Sequence, residues 1–476
     1  MLILPVNTAS PEQGTRFCGF LDISRLSVYT GKVPLRAATG CRARLTVPPT
    51  PRGQSQSEDC DNVMMNKSPF AEALEGANRA NPYPFYALLR ETPVRREEDG
   101  TYVVSTYAEI RSLLSDPRVS SADRPKAKHA KTVNPLWDYF INPIRDWIID
   151  THRSVIFRDP PDHTKLRRLI TTQFTAERVF RMSKRVDAII ADLVGRMRGR
   201  NKIDLVGEFA YPFPVNVICE LLGVPAGDHA LFRKWSASLT GVLDPKWRDC
   251  EEERLKTMAD YEALMSYLNA FIKAKRKRPA DDILSGLAAY KDKKLGRMGR
   301  FDLLATAVSL LVGGHETTVN LIANGMLTLL RHPEWLERLR RDNTLAPRIV
   351  DELLRFEPPA HFRTRKTLAA IEIAGLVIPK GAPLVLLFAS GNRDPKRFAH
   401  PNRFDPDRTD GPHFGFGGGP HFCLGAQLAR LEAEAALSAL ATRLIGPRLL
   451  EDPPPYRPGA SLRGPERLML GIGGVI

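Results

Sequence analysis

Residues Phe414 to Gly425 read Phe-Gly-Phe-Gly-Gly-Gly-Pro-His-Phe-Cys-Leu-Gly, a glycine-rich loop that delivers a cysteine to the start of a helical pattern. Few folds have a use for such a segment. Leu424, Leu428, Leu431 and Ala435 recur at helical spacing, and Gly446-Pro447 supplies a stop. Cys423 therefore falls at the positive end of a helix dipole, among unpaired backbone N–H groups. That position predicts a lowered thiol pKa and an anionic sulfur ligand. A phosphate cradle is the first alternative, but neither G-x-G-x-x-G nor G-x-x-x-x-G-K-[ST] is satisfied here. A buried structural cysteine is the second.

The chain around this segment has 476 residues, 43% hydrophobic and 26% charged, which excludes collagenous, wholly disordered and coiled-coil readings. Six cysteines without C-x-x-C spacing argue against a zinc ribbon, a thioredoxin-like site or a disulfide scaffold, and a reducing cytoplasm is the expected compartment. The net charge of +15 suits an anionic partner without choosing one. The longest charge-free apolar stretches, such as Leu303 to Gly314, are too short to span a membrane and suit a buried helix. Residues 1–63 are rich in Pro, Ser, Thr and Gly. Up to Ser57 they carry seven basic residues and two acids, Glu12 and Asp22, a balance shared with transit peptides. They read as a disordered or mis-assigned leader, with Met64 or Met65 the natural initiator.

From Asn81 onward, patterns rich in Leu, Ala and Arg alternate with Pro- and Gly-marked turns. Ala176 to Arg198 and Phe301 to Leu330 read as long helices. Ile371, Ile373, Val377-Ile378 and Val385-Leu386-Leu387 read as short strands around a turn at Pro379-Lys380-Gly381. Lys273 to Arg278 reads as a solvated helix end before Pro279, with Asp281-Asp282 opening the next helix. The class is mainly α with small β-sheets (α+β).

The pattern F-x-x-G-x-H-x-C-x-G, Phe416 through Gly425, resembles the haem-ligand signature of the cytochrome P450 family. The resemblance implies a single large fold over residues 64–476, a triangular helical domain with a β-rich minor region. It implies haem b (iron protoporphyrin IX) ligated by Cys423, with Phe416, His421 and Gly425 in the cofactor site. Gly313-Gly314-His315-Glu316-Thr317-Thr318 is similar to the family's oxygen-activation motif, which makes Glu316 and Thr317 the proton relay. The residues themselves leave another reading open, a helix kink with Thr317 bonded back to a carbonyl. H-E-x-x-H fails at Val319, which removes a zincin reading. His163 and Arg167, four residues apart on one helical face, resemble the pair that approaches the haem propionates. Arg365 and His421 resemble the third and fourth propionate ligands. Glu352, Arg355 and Arg403 resemble a structural Glu-Arg-Arg network.

As a soluble bacterial-type member, the protein is expected to be a monomeric monooxygenase that inserts one atom of dioxygen into a C–H bond of an apolar small molecule. The pocket is expected from Ser309, Val312, Gly313, Ala360 and Leu462, with Pro359, His361 and Phe362 beside Ala360. The loop between Ser121 and Asp150 joins them, with Leu136, Trp137, Phe140, Trp147 and Arg145. The chain has no dinucleotide fingerprint, so electrons must come from outside, for this type a ferredoxin and its reductase. Lys165, Arg168 and Arg430 are candidate docking residues. The alternatives are a peroxide-driven peroxygenase, against which the Glu316-Thr317 pair speaks, and a haem-binding sensor without turnover. A nucleic-acid binder has only the net charge in its favour.

Overall fold

The computed structural model describes residues 67–122, 154–241 and 251–476. The chain divides into two units, Met1–Met64 and Met65–Ile476, and every described residue belongs to the second. The expected leader and the pocket loop from residue 123 through Asp150, Arg145 included, lie outside the described residues. The described architecture is mainly helical with small sheets, as expected. Among these residues no helix is long and apolar enough to cross a membrane.

The long helix Arg300–Arg331 runs unbroken for 32 residues because no proline interrupts it. Asp302 in its first turn and Arg331 in its last oppose the helix dipole, and Pro333 begins the next helix. Leu303, Ala307, Leu311, Val319, Ile322 and Met326 are buried along it. The helix packs on Pro212–Leu222, Ala346–Phe356 and Ala426–Arg443. Each large apolar side chain removed from water contributes about 1.5–3 kcal/mol.

Ala176 to Arg198 is not one helix. Ala176–Arg181 ends at Met182, and Ser183–Gly195 starts afresh. The Ser183 hydroxyl donates to the Phe180 carbonyl at 2.7 Å, a local bond that competes with the helical ladder while leaving the apolar spacing intact. The basic run ends the helix Glu251–Lys277 as expected. Lys275 pairs with Asp282 at 2.5 Å, and Asp282 caps Ile283–Ala289 by accepting from the Ser285 N–H at 2.7 Å.

The largest sheet has five strands in the order Val94–Arg96, Tyr102–Val104, Pro383–Leu386, Arg363–Thr367, Val119–Ser120. The strand pieces expected at Ile371, Ile373 and Val377-Ile378 pair with each other, Ile371–Ile373 with Leu376–Ile378, as a separate two-stranded sheet, while the piece after Pro379-Lys380-Gly381 joins the large sheet. In the large sheet Leu386 faces Arg363 and Leu384 faces Arg365 in antiparallel register. Arg365 precedes the strand Ile371–Ile373 and itself lies in the strand Arg363–Thr367, two positions after Arg363. Side chains alternate across a strand, so both arginines project from the same face.

The ion network that braces this core differs from the expectation in one member. Glu352 and Arg355, each 1% exposed in its side chain, form a two-point pair at 2.7 Å. Arg355 also donates to the carbonyls of Asn392, Pro401 and Arg403. The side chain of Arg403 is exposed, and it joins the cluster through its carbonyl alone. Arg408 supplies the second guanidinium, with Nε 2.9 Å from Glu352.

Candidate active site

Cys423 lies between a short turn of helix, Gly419–His421, and the helix Ala426–Arg443, whose N-cap is Gly425. Its backbone N–H donates to the Phe416 carbonyl at 3.0 Å, which closes the loop on itself. The loop needs glycine at two points. Gly417 and Gly419 have φ of 70° and 62°, and a Cβ on Gly419 would stand 2.1 Å from the Leu114 carbonyl oxygen. Phe416 packs edge-on to Phe422, and the Arg430 guanidinium sits 4.7 Å from its ring centre.

The thiol pKa moves opposite to the helix-dipole expectation. Burial pushes Cys423 up; the Gly425 N–H and the charges of Arg167, Arg363 and Arg430 pull it down but do not win. Desolvation is a property of the folded surroundings, which a dipole argument made on the local segment leaves out.

Facing the cysteine is a concentration of nitrogen. The rings of His163 and His421 lie 4.1 Å apart between centres, tilted by 42°. Arg167 Nη2 donates to the Phe422 carbonyl at 2.7 Å, which ties the helix Asp162–Thr171 to the cysteine loop. Arg365 belongs to the same group, since its charge and that of Arg167 both act on His421. Burial, helped by Arg167, lowers His163; burial, helped by His163, Arg365 and Arg167, lowers His421 to about 4; burial, helped by Arg363, lowers Arg365 to about 10. Asp159 is the carboxylate that favours charge on Arg365 and both histidines. It is itself engaged by the Ser120 hydroxyl and the Ser121 N–H. Both ring nitrogens of His163, which is 2% exposed, lack a hydrogen-bond partner. An orphaned buried polar group costs about 1–3 kcal/mol, so a group supplying acceptors is called for. The two propionates of haem fit that need, and the four expected anchors are the residues that would hold them.

The long helix, which packs on the helix following the cysteine, carries Gly313 to Thr318 at its middle. No atom of the described residues lies within 4 Å of where a Cβ on Gly313 would point, so among them the helix is open there. The Thr317 hydroxyl donates to the Gly313 carbonyl at 2.7 Å, the back-bond anticipated as the alternative reading. Glu316, 6% exposed, forms an ion pair with Arg457. Arg457 lies 141 positions away, and no local pattern announced it. His315 is fully buried, accepts or donates at 2.6 Å to the Ser236 hydroxyl, and meets the Tyr211 ring edge-on.

Burial, reinforced by the Arg457 charge, lowers His315 to about 3 from 6.5. Between those values the unfolded chain binds a proton at this site and the native chain does not, so stability falls as pH drops from about 6.5 toward 3. The slope is about 1.4 kcal/mol per pH unit for one proton. In denaturant titrations between about pH 6 and pH 5, His315→Asn is expected to lose stability less steeply than the parent by that amount. Equal slopes would contradict the assignment of a neutral buried imidazole.

Ala360 and Leu462 are brought together by an antiparallel bridge. The Ser309 hydroxyl donates to the Ala305 carbonyl at 2.5 Å and accepts from the Ser154 hydroxyl at 2.6 Å. His361 is buried against the Tyr86 hydroxyl at 2.9 Å. The candidate docking residues all have acidic neighbours: Lys165 with Asp162, Arg168 with Asp292, Arg430 with Asp351. Sequence reasoning missed Arg363, although the alternation Arg363-Thr364-Arg365 in a strand is a readable sign of two cations on one face. A surface cleft of about 650 Å³, lined by Asp192, Arg196, Arg200 and Glu208 among others, touches none of these residues. Its charges are paired, Arg196 with Asp192 and Arg200 with Glu208.

The family model described as Cytochrome P450 matches residues 139–444. The chain is 39% identical over 372 residues to cytochrome P450 monooxygenase PikC of Streptomyces venezuelae, covering 76% of this chain and 84% of that one. It is 35% identical over 398 residues to the 6-deoxyerythronolide B hydroxylase of Saccharopolyspora erythraea, covering 82% and 96%. Its structure matches that of cytochrome P450 CYP109Q5 from Chondromyces apiculatus with a TM-score of 0.74 at 31% identity, covering 84% of this chain and 98% of that one.

Proposed function

Since this chain belongs to the cytochrome P450 family and is a monooxygenase, we propose that it binds haem b through Cys423 and hydroxylates or epoxidises a largely apolar small molecule with electrons from a ferredoxin and its reductase. The observation that carries this reading is the buried, unpartnered His163 beside Arg167, Arg365 and His421, set against a cysteine on a glycine-shaped loop. Haem supplies the oxidative chemistry when bound, and thiolate ligation favours cleavage of the O–O bond. The protein's part is positioning, proton supply and exclusion of water.

Cys423 would supply the sulfur ligand, its backbone held by the bond to the Phe416 carbonyl and by the start of the helix Ala426–Arg443. His163, Arg167, Arg365 and His421 would hold the propionates, and the ring nitrogens of His163 would thereby gain the partners they lack. Gly313 leaves room for dioxygen. Glu316 holds negative charge at Oε1 against Arg457, and accepts a solvent proton there when that pair opens. Thr317 Oγ1 donates to Gly313 and keeps lone pairs with which to accept a proton from the Glu316 side and pass one inward. Val312, Ala360, Leu462 and Ser309 line the substrate side.

Removing the hydroxyl tests the relay. Thr317→Ala is expected to keep haem and bind substrate, while the fraction of electrons recovered in product falls about tenfold or more and hydrogen peroxide rises to match, within the usual contribution of general acid catalysis. The ratio of product to reductant consumed is the measurement. An unchanged ratio would reject Thr317 as the proton donor.

A further inference from the structure

Arg363 is left over once the cofactor has its anchors. Its Nη1 donates to the Phe362 carbonyl and to the Ser461 hydroxyl, both at 3.2 Å, and no carboxylate among the described residues pairs with it. Its neighbours on the strand and the loop are accounted for otherwise. Arg167 is tied to the Phe422 carbonyl, Arg430 to Asp351, and Arg365 feels Asp159. Arg363 projects from the same strand face as Arg365, and the two guanidiniums repel each other. The charge of Arg363 acts on the Cys423 sulfur, whereas Asp159 and Arg363 are the charges that act on Arg365. Of the two, Arg365 is the one whose charge reaches His421, and Arg363 the one whose charge reaches the Cys423 sulfur.

The segment that holds Arg363 in place also lines the pocket. Ser461 precedes Leu462, which bridges to Ala360, three residues before Arg363. The guanidinium is thus fixed from two sides by neutral oxygens, with its remaining donors uncommitted among the described residues. A planar fork of this kind matches a carboxylate at two points.

We infer that Arg363 anchors a carboxylate of the substrate, so that the pocket takes an organic acid whose apolar body lies against Ala360, Val312 and Leu462. The inference rests on the haem-monooxygenase reading above and narrows it. Specificity then comes largely from rejection. A neutral analogue leaves a half-buried cation, shielded from water by the bound ligand, without its anion.

The test uses the haem-loaded protein and a graded series of monocarboxylic acids, from hexanoic to octadecanoic and including phenylacetic acid, each against its own methyl ester. Binding is followed by the shift of the Soret band. At least one acid is expected to bind about tenfold or more tighter than its ester, as a charge-assisted two-point contact requires. Arg363→Leu is expected to erase that preference, and Arg363→Lys to keep part of it, with the haem content of both equal to the parent. If no acid outbinds its ester, or the preference survives in Arg363→Leu, the inference is overturned. It is also overturned if haem content falls in Arg363→Leu and Arg363→Lys alike, since the carboxylate held would then be a propionate. Failure of the underlying reading looks different: the parent protein would show no thiolate-type spectrum in complex with carbon monoxide.

Discussion

Cys423→Ser is expected to fold, to lose thiolate ligation, and to bring product formation down to the background of the assay. The fold survives because the loop is shaped by Gly417, Gly419 and the backbone bond from residue 423 to the Phe416 carbonyl, none of which uses the sulfur. The chemistry does not survive, because a serine hydroxyl remains protonated where a thiol gives an anion to the metal. Melting temperature, haem content and turnover measured on one preparation separate these effects. Retention of more than a trace of activity would contradict the assignment of the axial ligand.

Arg355→Leu is expected to cost about 3–5 kcal/mol, the range for breaking a buried pair from one side. Glu352 would be left charged at 1% side-chain exposure, and the carbonyls of Asn392, Pro401 and Arg403 would each lose a donor. Against a total stability of roughly 5–15 kcal/mol, such a loss removes from about a fifth to all of it. Arg403→Leu is the informative control. Its side chain is exposed, so it should stay within about 0.5 kcal/mol of the parent in denaturant unfolding. Arg408→Leu, which removes the contact to Glu352 at 2.9 Å, should fall between the two. An Arg403 variant as damaged as the Arg355 variant would contradict the network described above.

The parts of this site that could be read in advance are those the chain builds locally. The cysteine loop, the helix after it and the unbroken long helix depend on residues within a few positions of one another, and glycine and proline mark their limits openly. The His163 and Arg167 pair was legible for the same reason, being one helical turn apart. What was not legible depends on distant segments. Glu316 finds Arg457 across 141 positions, and Glu352 finds Arg408 rather than the nearer Arg403. The choice between two arginines five residues apart rests on which way the connecting turn faces, and charge pattern is silent on that. Met182 interrupts a helix whose apolar spacing continues past the break, because the Ser183 hydroxyl takes a carbonyl that spacing cannot count. The thiol of Cys423 was read from its helix terminus, yet burial sets its direction in the folded chain.

The most direct measurement is the difference spectrum of the purified, dithionite-reduced protein with and without carbon monoxide. A Soret band at the position of thiolate-ligated haem, absent in Cys423→Ser, is the predicted result. A band at the histidine-ligated position, or an identical band once the Cys423 sulfur is gone, would contradict the account.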